Sequence, residues 1–137
     1  MIESGAAVTA DHFYRINLVR GEMYKTLGPI LESHRVLICP TTALPSVKHD
    51  YDPTDANFTI DGEKVPASLG WYMTMPFNLV SQCPVMAVPT GFASSGIPTG
   101  MQIVGKTFDD ASVFRAGLAY EKAVGGWYGD QGKRPAF

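Results

Sequence analysis

Read for hydrophobic period, the chain divides into segments of different kinds. Across residues 9–34 the apolar positions Phe13, Ile16, Val19, Met23, Leu27, Ile30 and Leu31 recur in steps of three and four, which is one face of a helix. Thr9 is placed to cap it, Asp11 puts a carboxylate in the first turn, and Gly28-Pro29 predicts a kink or break. A short apolar run, residues 35–39, then ends at Pro40-Thr41-Thr42 and reads as a buried strand. Periodicity disappears over residues 43–67, a surface excursion in which Phe58-Thr59-Ile60 and an Asp61-Gly62 turn predict a small hairpin. From Leu69 to Val80 apolar residues occupy every face, which predicts a buried helix capped by Ser68 and split by Pro76 into two short pieces.

The block over residues 77–105 is the centre of the domain. Its two apolar runs, 84–88 and 101–104, read as adjacent buried strands, and the glycines and prolines between them make a shaped connection. A last amphipathic helix begins at Asp109-Asp110 and stops at Gly125-Gly126. Residues 127–137 read as an arm that is ordered only if something covers its aromatic residues. The order helix, strand, loop, helix, strand, strand, helix predicts an α/β fold: one unit over 1–137, a few-stranded mixed sheet covered by helices.

Composition narrows the classes of function. Of the 137 residues 45% are hydrophobic and only 18% charged, so the surface is poorer in charge than usual. A net charge of −2 supplies no basic field for nucleic acid or anionic lipid, and no apolar run reaches the length of a membrane span. The expectation is a cytoplasmic protein with no nucleic-acid or membrane partner. Cys39 and Cys83 lie in or beside apolar runs and read as buried free thiols. His12 and His34 read as surface or capping residues, and His49, Asp50 and Asp52 are a solvated cluster without ligand spacing. No cofactor is implied.

The residues that carry a resemblance are Asn78, Cys83-Pro84, Val88-Pro89, Gly91, Gly96-Ile97-Pro98, Gly100, Gln102, Gly105 and Asp109. In this order and spacing the chain resembles the C-terminal part of the amidase signature family, hydrolases of carbon–nitrogen bonds in small amides. The helix at 5–20 and the strand at 36–42 resemble the elements that precede this block. Family members are roughly three times this length. Their catalytic Lys, cis-Ser and nucleophilic Ser, with the oxyanion loop, lie upstream of everything matched, so the resemblance implies no catalytic residue in this chain.

What it implies is a wall of the substrate cavity and the scaffold behind it, with Trp71, Phe77, Asn78 and Gln102 facing the acyl group and Cys83 a weaker candidate. Core packing is the alternative for the two aromatics, and a structural hydrogen-bond hub for the two amides. Family members that draw on glutamine carry an Asp where Trp71 stands. An indole cannot pair with an ammonium group, which points to apolar or aromatic amides, carbamates or ureides. Ser94-Ser95-Gly96 looks superficially like a nucleophile loop, but falls where the family has a variable turn. The partners expected are the missing N-terminal amidase portion, a small-molecule amide in the intact enzyme, and other copies of the chain, because a sheet edge and an apolar face would be left uncovered. The alternative is a non-catalytic stand-alone or split-enzyme module acting in assembly or binding.

Overall fold

The computed structural model describes residues 5–80 and 82–125; the expectations for Gly126 and for the arm at 127–137 lie outside these. Among the described residues the named elements are, in order, α1 (Ala10–Ser33), β1 (Val36–Pro40), β2 (Thr59–Ile60), β3 (Glu63–Lys64), α2 (Met75–Leu79), β4 (Val85–Phe92), β5 (Pro98–Gly105) and α3 (Asp110–Val124). The two central runs are neighbouring strands, and the main sheet has the order β1-β5-β4. Both pairings are antiparallel, which corrects the mixed sheet expected from the sequence. The residue alternation that marks a strand carries no sign of its direction, so direction had to come from the topology.

Register explains how the sheet is covered. Leu37, Val104 and Val85 lie side by side across the three strands, as do Ile38, Ile103 and Met86 on the opposite face. The first face packs on α1 and α2: Leu31, Val80, Cys83 and Val104 form a buried cluster, with Met23, Tyr24, Leu27, Leu37 and Phe77 against it. The second face carries α3. Gly117 is buried so close to Met86 that a Cβ there would come within 2.4 Å of Sδ, and Val113 fills the space beside Gly105. Burying one such aliphatic side chain contributes about 1.5–3 kcal/mol.

The helix ends follow local chemistry. Thr9 caps α1 by accepting from the His12 amide at 3.2 Å, and Asp109 caps α3 by accepting from the Ser112 amide at 3.1 Å. Hydrogen bonds from Ser112 hold the Asp109 carboxyl below the usual carboxylate range. Gly125 ends α3 in the left-handed conformation, φ 82°. The Gly28-Pro29 break does not occur, since α1 runs unbroken through both. Leu27 and Leu31 are anchored in the core on either side of Pro29, and the Ser33 hydroxyl donates to the Pro29 carbonyl at 3.0 Å. That packing outweighs the roughly 3 kcal/mol a proline costs inside a helix.

The hairpin in the excursion forms as expected, with Asp61 at φ 51° and Gly62 at φ 82° between β2 and β3. These positive values are what a two-residue hairpin turn requires. Around it the loop is held by its own contacts: Asp52 and Asp55 accept from amides two residues on, Tyr51 packs edge-on against Phe58, and the Tyr51 hydroxyl donates to the Ala67 carbonyl.

One segment differs more deeply. The second of the two expected helical pieces forms as Met75–Leu79 with Pro76 in its first turn, whereas residues 69–74 are turns and a single bridge between Thr42 and Tyr72, so the first piece, capped by Ser68, is absent. Leu69, Tyr72, Met73 and Met75 are exposed.

Candidate functional site

Gln102 organises the end of the sheet where β1 stops. It is fully buried, at 0% exposure, and its amide nitrogen donates to the Pro40 and Met73 carbonyls, each at 2.9 Å. Both donors of one NH2 group are therefore used to tie β5 to β1 and to the 69–74 segment. The Met73 amide donates to the Thr41 carbonyl at 3.0 Å, and the Ala43 amide to the Trp71 carbonyl at 2.9 Å. Thr41 closes the junction, with its amide and its hydroxyl both donating to the Gly100 carbonyl at 3.1 Å.

Trp71 is thereby held against the sheet end. Its ring is half-buried and stacks on Tyr72 with centroids 4.3 Å apart and planes 27° from parallel. Two buried polar atoms here have no partner among the described residues, the Trp71 indole nitrogen and the Gln102 side-chain oxygen. A buried group left so costs about 1–3 kcal/mol, so each is a place where something from outside would be favourable. An open groove of about 440 Å³ lies at the same end of the sheet, lined by Cys39, Thr42, Thr90, Thr99, Gly100 and Met101, and neither Trp71 nor Gln102 lines it. Burial pushes the Cys39 thiol up, with the Gln102 amide beside it acting weakly the other way.

The other residues singled out from the sequence lie elsewhere. Phe77 packs into the cluster under α1, where it serves the core. Asn78 is exposed, and its backbone N–H donates to the Thr74 carbonyl, so the buried amide hub expected at Asn78 is found at Gln102 alone. Cys83 is buried beside Thr107 and its thiol is raised by burial, which keeps it protonated and unreactive at neutral pH. The structure thus joins Trp71 to Gln102 and separates both from Phe77 and Asn78. The sequence reading missed that the clamp runs through the backbone of Pro40, Thr41 and Met73. Carbonyl groups leave no mark on residue type.

Ser94 and Ser95 are exposed in the turn between β4 and β5, closed by the Ala93 amide on the Ile97 carbonyl at 2.9 Å. Lys25, Lys64 and Lys106 reach Glu22, Asn57 and Glu32, and no hydrogen bond among the described residues joins a lysine to a serine. His49, Asp50 and Asp52 are exposed on the excursion, and no three such side chains gather anywhere among the described residues. Among them, too, no helix is long and apolar enough to cross a membrane.

Comparison with known proteins agrees with this architecture. The chain is 34% identical over 119 residues to the glutamyl-tRNA(Gln) amidotransferase A subunit of Oceanobacillus iheyensis, and 30% identical over 113 residues to that of Lactiplantibacillus plantarum. These alignments cover 83% and 82% of this chain but 22% and 21% of the relatives. A solved bacterial aryl acylamidase of the amidase signature enzymes superposes with a TM-score of 0.71 at 28% identity, over 89% of this chain and 25% of that one. The chain therefore spans about a quarter of the length of these proteins. With the Amidase family model matching residues 1–114, the chain belongs to the amidase signature family.

Proposed function

We propose that this chain is the substrate-wall and scaffold part of an amidase that hydrolyses carbon–nitrogen bonds of small amides, and that the reacting groups are supplied by the remaining three quarters of the family fold. Serine-based amide hydrolysis needs a nucleophile, a base within hydrogen-bond reach and donors aimed at the oxyanion. The observation that carries this reading is the family match over 114 residues in which no serine meets a lysine among the described residues. On this reading the chain alone is inactive. Trp71 and Gln102 meet the acyl side of the site through the indole N–H and the amide oxygen left without partners. Phe77 supports that wall from behind, through the core cluster that seats α2, and Asn78, exposed on α2 and outside that cluster, faces the remaining portion.

Trp71 favours apolar or aryl amides, because an indole stacked on Tyr72 offers an amphiphilic surface and no charge. The identity to the amidotransferase relatives favours a second reading, glutamine as the amide. A full-length version assayed on an anilide, a fatty amide and glutamine decides between them. Faster turnover of anilide, shifted toward glutamine by Trp71→Asp, supports the first reading; glutamine as the best substrate of the unaltered protein overturns it.

Self-association belongs to the same proposal. Phe13, Ile16 and Val19 of α1 are 66%, 46% and 53% exposed, an apolar stripe without cover among the described residues. In isolation the chain forms dimers or larger species through that stripe, and light scattering that shows a monomer at high concentration contradicts it.

A further inference from the structure

Residues 71–73 are joined to residues 41–43 by a bridge of two backbone bonds. The Ala43 amide donates to the Trp71 carbonyl and the Met73 amide to the Thr41 carbonyl, so Thr42 and Tyr72 face each other as a non-hydrogen-bonded antiparallel pair. In a longer ribbon Thr41 and Met73 would then exchange two bonds. Here they exchange one. The Thr41 amide turns instead to the Gly100 carbonyl of β5 at 3.1 Å, and the Thr41 hydroxyl takes the same acceptor. The Met73 carbonyl is left without the donor that ribbon geometry would give it, and the Gln102 side chain supplies one at 2.9 Å.

Gln102 does this from the middle of the sheet. It lies on the central strand β5, opposite Cys39 of β1 and Ala87 of β4, and is fully buried. The Pro40 and Met73 carbonyls accept its two N–H groups, which fixes the orientation of the amide, because turned over it would set its oxygen against two carbonyl oxygens. The oxygen is the atom left without a partner among the described residues. An apolar side chain of similar volume would fill this place without leaving such an atom. What the amide adds is a link of set length from β5 to Met73.

Such a link matters because a bridge of one residue pair does not specify its own register. A slip of one residue carries a chain about 3.3 Å along its neighbour, and a positioned group displaced by about 1 Å can cost about a hundredfold in rate. We propose that the nitrogen end of Gln102 is the register pin of the 71–73 segment, a positioning group that fixes where the Trp71 indole stands and so which amides the site accepts. This rests on the reading of Trp71 given above. The role is separate from any contact made by the Gln102 oxygen, since it acts through Met73 and not on the substrate.

Hydrogen exchange of the 137-residue chain tests the pin, and kinetics of a full-length version test its consequence. In the unaltered chain the Ala43 and Met73 amides should exchange within about tenfold of the Gly105 amide, which donates to the Pro84 carbonyl beside the sheet, and at least a hundredfold more slowly than the Asp55 amide of the excursion. Gln102→Met, close in volume and without donors, should speed Ala43 and Met73 at least tenfold relative to Gly105. Loop-like exchange at Ala43 and Met73 in the unaltered chain overturns the pin even where the variant fails to fold. No change in the variant, or an equal acceleration of all three amides, overturns it as well, the second because Gln102 would then only support the sheet.

In the full-length version Gln102→Met and Gln102→Glu, which keeps an acceptor oxygen and loses both donors, should each lower kcat/KM for an anilide at least tenfold through KM, and neither should lower it further in a Trp71→Ala background. A KM retained by Gln102→Glu, or losses that add to that of Trp71→Ala, overturns the positioning role and leaves the reading of Trp71 standing. Glutamine as the best substrate of the unaltered protein removes the reading of Trp71, and the exchange result then decides the pin by itself.

Discussion

The two halves of α1 carry one apolar stripe and meet different fates. In the C-terminal half Met23, Leu27 and Leu31 press on the sheet, and Leu31 is 2% exposed. In the N-terminal half Phe13, Ile16 and Val19 continue the stripe at the same spacing and face solvent. Nothing in the local sequence distinguishes them. What distinguishes them is whether the sheet extends far enough to lie underneath. An apolar stripe that outruns its own core is shaped for a surface that the described residues do not provide, as the low charge content also indicates.

The comparison is broken most forcefully at Leu31. Leu31→Ala empties a site bounded by Val80, Cys83 and Val104 and should cost about 2–5 kcal/mol of unfolding free energy, read by urea denaturation. At a concentration low enough to keep the chain monomeric, Phe13→Ala removes a larger side chain from the exposed half and should shift the same transition by no more than about 0.5 kcal/mol. Equal losses at the two positions would mean that both halves are covered in solution. Pairing Phe13→Ala with Val19→Ser should leave that transition in place and reduce the mass seen by light scattering to that of a monomer.

The helix caps sharpen the same contrast at smaller scale. Thr9→Ala removes the cap of the uncovered half and should fray α1 by about a turn, visible as lost helical circular dichroism with the cooperative transition retained. Asp109 caps α3, which packs on the sheet through Val113 and Gly117, with a charge. Its folded pKa is depressed, so its contribution is present above the ordinary carboxylate range and is lost as pH falls through the folded value. Thermal melts of the unaltered chain should therefore lose stability on acidification below that range, and Asp109→Asn should flatten that part of the profile. Thr9 is uncharged and contributes no such slope.

Features fixed by a few neighbouring residues were legible in the sequence. The Thr9 and Asp109 caps, the Asp61-Gly62 turn and the strand pair around 84–88 and 101–104 each depend on conformational preferences that travel with residue type. The Pro29 break failed because anchoring at Leu27 and Leu31 overrides a local preference. The helical piece expected over 69–74, and the burial expected for the whole segment, failed for a different reason. Leu69, Met73 and Met75 have the composition of an interior and are exposed here, so the pattern reports the burial these residues are suited to, with no covering surface among the described residues. At the candidate site, Trp71 and Gln102 were legible as residues, while the clamp that joins them runs through the carbonyl groups of Pro40 and Met73. Asn78 shares its chemistry with Gln102 and lies exposed, because its place on a short surface helix decides the matter.

The central claim is that the hydrolytic groups belong to polypeptide beyond these residues, and amide turnover by the purified 137-residue chain tests it most directly. Incubated with an anilide and with glutamine, the chain should release product no faster than buffer, and Ser95→Ala should change nothing. Measurable turnover that Ser95→Ala abolishes would contradict the account.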